Sequence, residues 1–201
     1  SSAANAALVV TCTIVDAVNS PQSRDYRSAI ISRYTIAGGT VRQRDGGIIG
    51  EATIDFIRRV GSQARFVTSV CSGALLLGAA GLLQGRRAAT HWASMDMLAD
   101  FGAIPTDERF VHDGKVVTGG GVTAGIDFAL YLAAQLQGQA IAEAIQLGIE
   151  YNPAPPFDAG HPSCARPPLV AAARERMREP QARRRALVQQ AAQAMRPAPL
   201  S

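Results

Sequence analysis

The chain alternates short apolar runs with polar, glycine-containing breaks. Ala7 to Val15, ALVVTCTIV, is rich in β-branched residues and predicts a buried strand. The polar stretch DAVNSPQSRDYRS follows as a loop. AIISRYTIAGG predicts a second strand, interrupted by Ser32 and Arg33 and ending at Gly38-Gly39, and TVRQRDGGIIG reads as a loop. In EATIDFIRRVGSQ, Ile54, Ile57 and Val60 recur at helical spacing, with Gly61 as a stop signal. RFVTSV predicts a strand. GALLLGAAGLLQG predicts a helix whose glycines allow close approach to a sheet, and ASMDMLADFG a short amphipathic helix ending at Gly102. RFVHDGKVVTGGG predicts two strands joined by a hairpin at Asp113-Gly114. TAGIDFALYLAAQLQG and QAIAEAIQLGIEY predict two further helices, and NPAPPFDAGHPSCARPP a proline-rich arm. The last segment, LVAAARERMREPQARRRALVQQAAQAM, predicts a helical region broken or kinked at Pro180.

Strands alternating with helices argue for an α/β sandwich with a mostly parallel sheet. In such sheets ligands sit beyond the carboxyl ends of the strands, where this reading puts both Gly38-Gly39 and Cys71. With 201 residues, 47% hydrophobic and 18% charged, the chain is long enough and apolar enough for one substantial core. The net charge of +4 comes almost wholly from arginine, Lys115 being the only lysine. Arg174, Arg176, Arg178 and Arg183 to Arg185 cluster late, which reads as a solvated helix face; no aromatic residues interleave them to stack on bases, so no nucleic-acid partner is expected. The first apolar run is too short to span a bilayer and lacks a basic leader, so neither a signal peptide nor a membrane partner is expected. Cys12, Cys71 and Cys164 are odd in number and widely spaced, which gives no disulfide framework and fits a reducing cytoplasm.

Of the three, Cys71 holds the informative position. Phe66 to Val70 form the strand and Gly73 onward the helix, so Cys71 is the turn between them, as in a nucleophile elbow. Ser72 and Gly73 are small enough for such a turn. The N–H groups at the helix start favour a thiolate and stand ready to stabilise an anion on its reaction partner, with Ser72 N–H as one donor and the Gly38-Gly39 loop as a second. Cys12, inside an apolar strand, reads as packing, and Cys164 as an ordinary surface thiol.

Three ordered blocks, SVCSGALLLGAAGLLQGRRAATHW, GAIPTDERFVHDGKVVTGGGVTAGIDFAL and IQLGIEYNPAPPFDAG, resemble the DJ-1/PfpI superfamily, and within it the isonitrile hydratase (isocyanide hydratase) branch. The similarity runs from about Ala37 to Pro162. The resemblance implies a flavodoxin-like three-layer sandwich of the class I glutamine amidotransferase type, a homodimer, a small-molecule substrate and no cofactor. It maps the nucleophile onto Cys71, with Ser72 where the hydratases often carry threonine. The implied activity is addition of water to an isonitrile, giving an N-substituted formamide. Two alternatives stand beside it: a catalytically weak paralogue that senses oxidants or serves in stress response, and a detached sensor domain of the AraC-regulator type. Those regulators share the block around Cys71, but fewer residues follow Pro168 here than their helix-turn-helix module needs.

The resemblance ends at the amino terminus, where the family carries a strand, a helix and the acid that partners the cysteine. Residues 1–36 read as a divergent or shortened replacement, with that strand and helix altered or missing; their acidic residues, Asp16 and Asp25, stand in no family motif. The expected organisation is this segment, a core over 37–168 and a helical region over 169–201. His91 is a candidate second-shell group, more readily structural than catalytic, and Trp92 suits a core or a dimer interface. Gly120, within Gly119 to Gly121, and Thr123 at a helix start suit close packing beside the site rather than phosphate binding, because no P-loop pattern accompanies them. His112 and His161 are isolated, so no metal is expected.

Overall fold

The structure is a computed structural model and describes residues 7–11, 33–36, 39–42 and 51–195. Its centre is a four-stranded sheet in the order β1 (Ala7–Thr11), β4 (Phe66–Val70), β8 (Val116–Gly119), β7 (Phe110–Asp113). β1 pairs with β4 and β4 with β8 in parallel, while β7 runs antiparallel to β8. The antiparallel pair is the hairpin expected from Asp113-Gly114; Gly114 takes φ +62°, which a side chain would resist.

Successive residues of a strand point to opposite faces, and the two faces bury different partners. Val67 and Val116 join the larger core, with Ile57 of α1 (Glu51–Gln63), Leu75 and Leu77 of α2 (Gly73–Ala79), Met97, Leu98 and Phe101 of a 3-10 helix (Trp92–Phe101), and Val188 and Ala192 of α5 (Pro167–Ala194). Val70 and Val117 face the other way and pack against Phe128 of α3 (Ala124–Gln137). Helices therefore cover both faces of a mostly parallel sheet, the three-layer sandwich that the family resemblance implies. α4 (Gln139–Gly148) packs on α3, and the proline-rich arm leads from it to α5.

Several elements differ from expectation. The segment after Gly38 is not simply a loop: β2 (Arg33–Ile36) and β3 (Gly39–Arg42) form a separate antiparallel pair, so the strand before the glycines is not in the main sheet. α1 runs two residues past Gly61, and Lys115 Nζ donates to the carbonyls of Gly61 and Ser62 at its end, at 2.7 and 2.9 Å. α2 stops after seven residues, where Gly81 turns with φ +77°. The glycine face of α2 meets the 3-10 helix rather than the sheet: a Cβ on Gly78 would lie 2.4 Å from a Phe101 ring carbon. The amphipathic segment before Gly102 is 3-10, not α. β5 (Arg87–Ala88) and β6 (Ile104–Pro105), which hydropathy alone does not reveal, form a short parallel pair. α5 continues unbroken through Pro180. Among the described residues no helix is long and apolar enough to cross a membrane.

Candidate active site

Cys71 sits where the seam between β4 and α2 places it, and its backbone is left-handed, with φ +56°. That conformation costs a residue with a Cβ roughly 1–2 kcal/mol, so it persists only where the surroundings fix it. They do so from both sides of the peptide. The Cys71 N–H is shared between the carbonyls of Gly119 and Gly120, at 3.1 and 2.8 Å. The Cys71 carbonyl accepts from the buried Thr90 hydroxyl at 2.7 Å. Thr90 is itself held, because the preceding Ala89 N–H donates to Thr118 Oγ1 at 2.8 Å, on β8.

The glycines at the end of β8 permit this convergence. A Cβ on Gly120 would stand 3.4 Å from the Arg109 carbonyl and 3.6 Å from that of Thr90. A Cβ on Gly119 would stand 3.0 Å from the Phe128 ring. Gly120 also donates to the Arg109 carbonyl at 3.0 Å, so three segments meet around one residue.

Elbow geometry suggests an exposed sulfur, but Cys71 is only 1% exposed. It lies in a small apolar cluster with Val70, Val117 and Phe128. Ser72 follows in a helical conformation and Gly73 opens α2, both buried, so Cys71, Ser72, Gly73 and Gly120 are brought together. Gly38 lies outside the described residues, as do Cys12, Asp16 and Asp25; Gly39 opens β3 in the separate pair. Cys164 is an exposed thiol that donates to the His161 carbonyl at 3.3 Å.

His91 follows Thr90, yet its ring turns to other work. Its Nδ1 accepts from the Ala93 N–H at 3.3 Å, capping the 3-10 helix. Burial, and then the nearby Arg184 guanidinium, lower its pKa below the ordinary 6.5, so the neutral ring that capping requires is the favoured form. Trp92 is partly buried and lies under the Arg174 guanidinium, 5.4 Å from the ring centre. Thr123 precedes α3 and accepts from Arg109 Nη1 at 3.1 Å. Sequence reasoning missed Thr90, although it stands inside the quoted RAATHW block; its signal was one hydroxyl between apolar neighbours and a histidine. It also missed Arg109, Asp127 and Tyr151, whose contacts join segments far apart in the chain.

A mostly parallel sandwich that carries a cysteine on a left-handed turn between a central strand and a helix defines a class of cysteine-elbow α/β proteins. The DJ-1/PfpI family model matches residues 36–135, and the chain belongs to that family. It is 60% identical over 126 residues to an isonitrile hydratase from Pseudomonas putida, an alignment covering 63% of this chain and 55% of that protein. It is 35% identical over 95 residues to the HTH-type transcriptional regulator CdhR of Pseudomonas aeruginosa, covering 45% of this chain and 28% of the regulator. A crystal structure of a ThiJ/PfpI family protein from Pseudomonas syringae superposes with a TM-score of 0.67 at 47% identity, covering 69% of this chain and 57% of that one. The chain thus spans little more than half the length of the hydratase and of that structure.

Proposed function

We propose that the protein is a cysteine-dependent hydratase that adds water to an isonitrile and releases an N-substituted formamide. The observation that carries this reading is Cys71 on its left-handed turn, within a stretch so similar to the Pseudomonas putida hydratase. In the proposed reaction the Cys71 thiolate attacks the terminal isonitrile carbon, and a C–S bond forms as that carbon takes a proton, giving a covalent thioimidate. Water adds to the same carbon; the C–S bond breaks, the thiolate leaves, and the nitrogen is protonated to the formamide. No electrons are exchanged and no cofactor is needed. The N–H groups assigned to the adduct are those of Ser72 and Gly73, at the start of α2, with the Ser72 hydroxyl as a proton relay. The terminal carbon of an isonitrile is a slim, linear end, which suits a sulfur as enclosed as this one.

The test is formamide production from an alkyl isonitrile by wild type and Cys71→Ala. Turnover by wild type alone supports the reading; equal background rates from both overturn it. The oxidant-sensing alternative needs a thiolate that peroxide reaches and oxidises. If mild peroxide modifies Cys71 no faster than the exposed Cys164, sensing fails.

The remaining features of the reading follow the family. The core is assigned to residues 37–168, with the helical region from 169 docked on it through Val188 and Ala192. The setting is the cytoplasm. The assembly is a homodimer, supported by apolar side chains left outside on and after α4, notably Leu147 at 83% and Ile149 at 56% exposure. Light scattering tests it: a dimeric wild type that Leu147→Asp converts to monomer is the expected result.

A further inference from the structure

Three segments meet at the carboxylate of Asp127, in the first turn of α3. Its Oδ2 accepts from Arg109 Nε at 2.5 Å and its Oδ1 from the Tyr151 hydroxyl at 2.8 Å. Arg109 lies just before β7, and Tyr151 opens the arm after α4. Both carboxylate oxygens are therefore committed, one to each partner. Arg109 also reaches Thr123 Oγ1, so it grips the entry to α3 twice.

This junction adjoins Cys71 by two routes. Phe128, the next residue of α3, packs in the apolar cluster that encloses Cys71. The Arg109 carbonyl accepts from Gly120 N–H at 3.0 Å, and the Gly120 carbonyl accepts from Cys71 N–H at 2.8 Å. The same residue that binds Asp127 by its side chain thus supports the elbow by its main chain.

We propose that Asp127 is a positioning residue that, through Arg109 and Tyr151, holds the first turn of α3 and Phe128 closed over Cys71. It touches no reacting atom. The proposal rests on the reading of Cys71 as the reactive thiol, but not on the identity of its substrate. The Tyr151 phenol is suited to the task, because accepting from it lets Asp127 raise its pKa above the usual 10.0 and keeps it a donor. Exposed ion pairs contribute little to global stability, so the consequence of the junction falls on local opening.

The experiment is the rate of alkylation of Cys71 by iodoacetamide at neutral pH, followed by mass spectrometry of its peptide, with Cys164 as the exposed internal standard. Wild type, Asp127→Asn, Tyr151→Phe and the double variant are compared, with thermal unfolding of each. Tyr151→Phe removes a single hydroxyl and keeps the ring, so it serves where Asp127→Asn disturbs folding. Each single variant is expected to speed Cys71 alkylation by roughly threefold or more, with Cys164 and the unfolding midpoint unchanged. The double variant is expected to match the faster single, because the two changes break one junction. Cys71 rates within about twofold of wild type, effects that multiply in the double variant, or gains that track a fall in the unfolding midpoint overturn the proposal. If alkylation behaves as expected while wild type hydrates no isonitrile, the substrate assignment fails and the positioning role stands.

Discussion

At the scale of single residues, the elbow is a strained conformation held by hydrogen bonds from chain-distant segments. The bond from Thr90 to the Cys71 carbonyl is buried, so nothing in solvent replaces it when it is lost. Thr90→Val keeps the shape and deletes the hydroxyl, leaving that carbonyl the longer bond from the Ala74 N–H, at 3.5 Å. It should cost about 1–3 kcal/mol in denaturant unfolding and lower the hydration rate as the elbow relaxes. An unchanged unfolding midpoint would show that the bond does not hold the turn. Two residues before the cysteine, Ser69 presents the opposite case. Its Oγ is fully buried and has no hydrogen-bond partner among the described residues. Ser69→Ala should therefore raise stability by about 1 kcal/mol, read by the same unfolding curves, and a loss would contradict the unpartnered state.

At the scale of elements, close contact decides what propensity leaves open. In an exposed helix, Gly→Ala gains about 1 kcal/mol from propensity. In α2 the added Cβ of Gly78→Ala would enter the Phe101 ring, in a core with no room to yield, so overpacking of about 1–3 kcal/mol outweighs that gain. A lowered thermal midpoint is the expected outcome, and a raised one would mean that the two helices separate freely. These contacts also explain what the sequence made legible. β4, β7, β8, α1, α3 and α4 follow from local alternation and helical spacing, and the elbow follows from small residues at a strand–helix seam. The early end of α2 and the 3-10 form of the next helix were not legible, because they depend on how Phe101 and Gly78 fit together. Nor was the part of Lys115, whose ammonium closes the end of a helix more than fifty residues earlier. Within the candidate site, the nucleophile position carries a local signal. Asp127 carries none and Thr90 only a lone hydroxyl among apolar neighbours, since each acts on atoms 18 to 24 residues away.

At the scale of the whole molecule, the docking of α5 makes the larger core respond to pH through His91. Ser94 Oγ donates to Gln181 and Arg185 pairs with Asp96, so α5 lies along the 3-10 helix that His91 caps. Burial and the Arg184 charge hold the folded-state pKa of His91 below 6.5, whereas unfolding frees the ring to titrate near that value. Between the two values the unfolded chain binds more protons, so stability rises with pH across that window. The contribution is complete above pH 6.5 and is lost as pH falls through the folded-state value. Protonation of Nδ1 would also remove the acceptor that caps Ala93, which acts in the same direction. Unfolding in denaturant should thus be easier at about pH 5 than at about pH 7.5, and His91→Asn should flatten that dependence while retaining a capping oxygen. His112 and His161 remain in both proteins, so the difference between the two pH profiles isolates His91. Parallel profiles would mean that the ring titrates alike in the folded and unfolded chain and that α5 docks without excluding its proton.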